Sequence, residues 1–163
     1  GEECGGLIQY SKRSIEDHVQ FINDNNVEHL VVCRRDISFL RDCPGVKSVS
    51  VTVPAFCSSF DFTPLYDMES LAALACNLAR DIPELSDGLD IPKLSDKDIE
   101  KNMALDFTKM KGLKQIHLSS SSVFKGAKNF QQLDNLECLM LNKYKGKNLR
   151  DYFDSKKLKY LDL

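Results

Sequence analysis

The chain has 163 residues, 42% of them hydrophobic and 28% charged, and carries a formal net charge of −2. A chain this long hides roughly 70% of its unfolded surface, so its core needs neither disulfides nor a structural metal, and near-neutrality gives no global attraction to nucleic acid or anionic lipid. No apolar run approaches the about 18 residues of a membrane span, and the opening GEECGG lacks the basic and apolar regions of a signal peptide, so the chain reads as soluble. The initial Gly where Met is expected points to a processed or engineered N-terminus and leaves a removed targeting segment open.

Leu7 to Tyr10 alternate as in a strand. Ser14 then caps a helix in which Ile15, Val19 and Ile22 share one face, and Asp17 is placed to complete a variant capping box. The polar run Asn23 to Asn26 turns the chain. Residues 1–26 are expected to form an N-terminal strand-helix cap, and 27–163 one continuous array.

From Val27 onward an aliphatic pattern at positions 1, 4 and 6 restarts about every 22 residues. It reads Val27, Leu30, Val32; Val46, Val49, Val51; Leu71, Leu74, Cys76; Leu113, Ile116, Leu118; Leu136, Leu139, Leu141; and Leu158, Leu161, Leu163. A seventh start, Ile91 with Leu94, falls between Leu71 and Leu113 but carries Ser95 and Asp96 where the rung should close. The stretch from Phe56 to Glu69 is longer than a simple rung allows. Between rungs, further apolar residues recur where the returning half of each coil supplies its own core: Ile99, Met103 and Phe107, then Val123, Phe124, Phe130 and Leu133, then Leu149, Tyr152 and Phe153.

These segments resemble the leucine-rich repeat family over roughly residues 27 to 163. The resemblance implies an α/β solenoid with a parallel sheet on the concave side and helices or turns on the convex side. Positions 1, 4 and 6 would point into a shared interior, while 3 and 5 point out, because strand side chains alternate faces. A rung cannot bury its apolar side alone, so its neighbours do. The Asn that the family places three residues after the last Leu of the motif is missing: Arg35, Pro54, Ser121 and Tyr144 stand there.

The six cysteines form no pair or Cys/His cluster with metal spacing, so no metal and no cofactor is expected; reduced, mostly buried thiols point to the cytoplasm. His29 and His117, placed on the first and fifth rungs, would lie four strand spacings of about 4.8 Å apart, roughly 19 Å, too far for joint catalysis. No nucleophile elbow, phosphate loop or H-E-x-x-H motif occurs. Ser119 to Ser122 reads as a polar turn, and Cys138 would need a cationic neighbour to be reactive. Residues 1–100 carry 9 Lys/Arg against 18 Asp/Glu, whereas 101–163 carry 13 against 6, an electrical dipole along a rod. Lys143, Lys145, Lys147 and Arg150 could meet an acidic partner or a nucleic-acid backbone, but aromatics for base stacking are not interleaved there beyond Tyr144.

The outward strand row is the candidate surface. Gln115, His117, Cys138, Met140, Tyr160 and Asp162 are its partner-binding residues, because large adaptable or aromatic side chains beside hydrogen-bonding ones dominate interface energetics. The expected function is a non-enzymatic module that binds a partner protein. The alternatives are an α/β enzyme with an unrecognised site and a structural fragment of a larger multidomain protein. Since the chain stops on the last Leu of a rung, either further natural sequence or a second copy is expected to cover Leu158 to Leu163.

Overall fold

In the computed structural model the described residues are 6–8, 13–79, 97, 102–103, 105–119, 132–142 and 157–162. Seven strands lie side by side in sequence order, every neighbouring pair parallel. They are β1 (Gly6–Ile8), β2 (His29–Val32), β3 (Ser48–Val53), β4 (Ala73–Leu78), β5 (Gln115–Leu118), β6 (Cys138–Leu141) and β7 (Tyr160–Asp162).

The aliphatic period sets the register. Leu30, Val49, Leu74, Ile116, Leu139 and Leu161 pair rung to rung across β2 to β7, and Val32, Val51, Cys76, Leu118 and Leu141 do the same two residues on. All are buried in one continuous cluster except Leu161, which with Leu158 packs partly buried against it. Each rung thus uses the next as its inner wall, as stacked coils must.

Just outside the strands a second ladder repeats. The residue at position 2 of each rung donates its N–H to the carbonyl of position 2 in the rung before: Lys47 to Glu28, Ala72 to Lys47, Lys114 to Ala72, Glu137 to Lys114 and Lys159 to Glu137, each at 2.8 Å. The start expected at Ile91 lies outside the described residues. β4 pairs directly with β5, Ala73 opposite Gln115, so no strand stands between them. Residue 92, at position 2, is a proline with no N–H to give. Asp96, at position 6, would put a carboxylate where β2 to β6 bury Val, Cys or Leu. The flanking starts Leu71 and Leu113 are 42 residues apart.

On the convex side a three-residue apolar spacing follows successive i to i−3 bonds. Cys43 donates to Leu40 and Val46 to Cys43; the same chain links Leu65, Met68 and Leu71, and again Phe107, Met110 and Leu113. Such 3-10 geometry brings residues three apart onto one face, so each of these side chains reaches the core. The 3-10 turns Ser38–Asp42 and Phe107–Lys109 and the one-turn helix α2 (Thr63–Tyr66) are the named elements here. The long stretch from Phe56 to Glu69 buries Cys57, Phe60, Phe62 and Leu65. Of the expected helical segment after Asp98, Met103 and Phe107 are buried, Phe107 in a 3-10 turn; Ile99 lies outside the described residues. Leu133 is buried, while Val123, Phe124, Phe130, Leu149, Tyr152 and Phe153 also lie outside them.

The N-terminal helix α1 (Ile15–Asp24) forms as its sequence dictates. Ser14 caps it, its hydroxyl accepting from the Asp17 N–H while the Asp17 carboxylate accepts from the Ser14 N–H. Ile22 is buried, and Ile15 and Val19 pack against the same core. The helix stops at the Asn run, where Asn26 adopts φ 51°, a left-handed conformation that asparagine tolerates better than most residues. β1 precedes this helix and is the first strand of the same sheet.

Candidate functional site

The outward rows of the sheet are built by the same alternation that fills the core. At positions 3 and 5, Gln115 faces Cys138 and Cys138 faces Tyr160, while His117 faces Met140 and Met140 faces Asp162. The six residues singled out from the sequence therefore form two rows of three across β5, β6 and β7. Gln115, Tyr160 and Asp162 are exposed; His117, Cys138 and Met140 are half-buried. Tyr160, 52% exposed, is one of the four large hydrophobics most open to solvent among the described residues.

Towards β2 the rows change character. Gln115 and His117 pair with Ala73 and Ala75, these with Ser48 and Ser50, and these with His29 and Val31. Small residues on β3 and β4 leave a depression of about 170 Å³, with Ser48, Ser50, Ala73 and Ala75 as floor and Gln115, His117, Cys138 and Met140 along one side. Of the twelve outward residues at positions 3 and 5 of β2 to β7, Asp162 alone bears a full charge with histidines neutral, in a chain that is 28% charged.

His117 is held in place. The Asn142 side-chain amide lies 3.1 Å from His117 Nε2 and fixes the ring by that contact. His29 and His117 are three strands apart, not four, because β4 pairs directly with β5; the separation of about 14 Å still prevents joint action. His18 lies on α1, its Nε2 buried without a partner among the described residues.

Charge gathers on the rim where the strands begin. Position 2 carries Glu28, Lys47, Ala72, Lys114, Glu137 and Lys159 in order. Glu28 and Lys47 form one ion pair, and Lys159 Nζ donates to Glu137 Oε2 at 2.7 Å in another. In both pairs the hydrogen bond from lysine, helped by its charge, holds the glutamate carboxyl below its ordinary value.

None of this resembles a poised nucleophile. The five described cysteines are unbonded, and burial pushes each thiol up: Cys43 to about 11, and Cys33, Cys57, Cys76 and Cys138 in the same direction. A reactive thiol needs the opposite shift. Ser119 is occupied in closing the strand end, its N–H donating to the Cys76 carbonyl at 3.1 Å; Ser120 to Ser122 and the basic run Lys143 to Arg150 lie outside the described residues. Among the described residues no group of three His, Cys, Asp or Glu side chains could hold a metal ion, and no helix is long and apolar enough to cross a membrane.

Reading the rows from sequence singled out the large side chains and passed over the depression beside them. Its signal was the pairing of Ser48 and Ser50 with Ala73 and Ala75 at the same two positions of consecutive rungs. Asn142, which orients His117, carried no signal, because the contact depends on a turn shape that the repeat does not specify.

No protein-family model and no curated protein matches the sequence. Twelve chains of solved structures match the fold. One is an internalin (inlF) from Listeria monocytogenes str. 4b F2365, similar at a TM-score of 0.50 and 14% identity over 87% of this chain. This chain spans 36% of that one. At such identity the likeness speaks to architecture alone, and with the parallel ladder and shared core it gives the chain a leucine-rich-repeat-like solenoid fold.

Proposed function

We propose that the chain is a non-enzymatic protein-recognition module that grips a partner protein with the concave strand face, through Gln115, His117, Cys138, Met140, Tyr160 and Asp162. The observation that carries this reading is the near absence of full charge from the twelve outward positions, against a chain-wide share of 28%. A face meant only for water has no reason to exclude charge, whereas the centre of a protein interface is depleted in it and enriched in Tyr and Met. The rows also supply a half-buried Met140 next to an exposed Tyr160, the sort of anchor on which binding energy concentrates. The raised thiols and the separation of the histidines favour binding over catalysis.

The test is affinity capture of cross-linked partners by the wild type and by a Met140→Asp, Tyr160→Ala double variant, with unchanged melting as a control on folding. The variant is expected to lose at least about tenfold in capture, the loss typical of removing one interface anchor. Equal recovery of the same partner by both proteins would remove this face from consideration.

A further inference from the structure

The rim beside the depression carries a charge surplus that the rest of the face lacks. Position 2 residues lie next to one another because their backbones are bonded rung to rung. Over β2 and β3 the Glu28–Lys47 pair is closed, and Asp24 and Asp42 leave that end negative. Over β5 to β7 the balance reverses. In the segments leading into these strands Lys111, Lys114, Lys157 and Lys159 outnumber Asp134 and Glu137, and Glu137 bonds Lys159 directly while also feeling Lys114 and Lys157. Lys157 spends its ammonium on the Asn135 side-chain oxygen at 3.0 Å, and Asn135 in turn donates to the Lys111 carbonyl at 3.2 Å, tying these turns into one positive strip. Lys114 is the residue immediately before Gln115, which stands along the depression.

Resting on the concave-face reading above, we propose that the partner is a protein segment with acidic residues over the β5 to β7 rim and one large apolar side chain seated in the depression between Ala75 and Met140. Charge complementarity sets the orientation: carboxylates next to Lys111 and Lys114 meet ammonium groups that form no direct ion pair with a described residue, while the same carboxylates over Asp24, Glu28 and Asp42 would be repelled. The depression takes the apolar group because its about 170 Å³ is lined by alanine methyls, Cys138 and the adaptable Met140 and offers no charge to a charged guest. A basic segment over the β5 to β7 rim would meet like charge instead.

The experiment pans a displayed library of random short linear peptides against the whole chain and then measures the enriched pool on three variants whose melting matches the wild type. These are Lys111→Glu with Lys114→Glu, Ala75→Gln, which fills the depression, and Met140→Asp. The expected pool carries Asp or Glu in excess over Lys or Arg together with a large apolar residue, and its affinity drops about tenfold on the lysine reversal and on Ala75→Gln. Peptides that lose affinity on Ala75→Gln and Met140→Asp but show no acidic excess and ignore the lysine reversal would overturn this inference and leave the concave face standing. An unenriched library, or a pool indifferent to all three variants, would overturn both.

Discussion

The two faces of the sheet obey different rules. On the inward face the same three positions of every rung carry Val, Leu, Ile or Cys, and from β2 to β6 all are buried. On the outward face the intervening positions run from serine and alanine on β3 and β4 to histidine, methionine and tyrosine on β5 to β7. Repetition is enforced where each side chain's neighbour is its counterpart one rung away, since a mismatch there opens a void or strands a polar group. Outside, nothing within the chain demands likeness. What varies there is free to be set by something other than the fold.

The sharpest way to break that contrast is to attack the inward row at two depths. Leu139→Ala in β6 removes a fully buried side chain flanked by rungs on both sides, and is expected to cost about 2–5 kcal/mol in urea unfolding. Leu161→Ala at the partly buried β7 is expected to cost less than half of that, because fewer contacts and less area are lost. Equal costs would mean that the last rung is as well covered as the middle ones.

A smaller but more diagnostic effect concerns the ladder outside the strands. Ala72→Pro leaves the inward and outward side chains untouched and deletes one N–H, the one donated to Lys47. It is expected to destabilise by about 3 kcal/mol, from the lost bond and the ring's clash with the backbone. Circular dichroism in urea measures it. A neutral result would show that the position 2 N–H is dispensable to the stack.

The direct pairing of β4 with β5, with no strand between them, also shows where sequence is legible and where it stops. The six rungs that form were readable because stacked aliphatics must repeat, and the helix at Ser14 was readable because capping is local. Ile91 and Leu94 matched two of three core positions, yet the disqualifying features, Pro92 and Asp96, lay in the same window. Their weight becomes plain only once position 2 is seen to be an obligatory donor. The convex side was legible as apolar residues at three-residue spacing but not as 3-10 turns, since that spacing also suits a helix. For the outward face, the rows followed from register alone. The depression and the rim did not, because both depend on which small or charged residues meet across rungs.

The smallest expected effect separates the rim from the core by pH. Glu28 and Glu137 sit below the ordinary 4.5 in the folded chain because a lysine bonds each of them. Around that pH the folded form therefore binds fewer protons than the unfolded chain, so whatever stability the two pairs contribute is present above the unfolded value and is lost as pH falls through the folded one. The Glu28 and Glu137 side chains are 46% and 39% exposed, and pairs this open are screened by salt and contribute little. Melting in low salt should therefore dip only slightly below about pH 4.5, and Glu28→Gln with Glu137→Gln should flatten part of that dip while leaving the neutral-pH melting nearly unchanged. If the double variant instead melted several degrees lower at neutral pH, the rim pairs would belong to the framework of the solenoid and not to its surface.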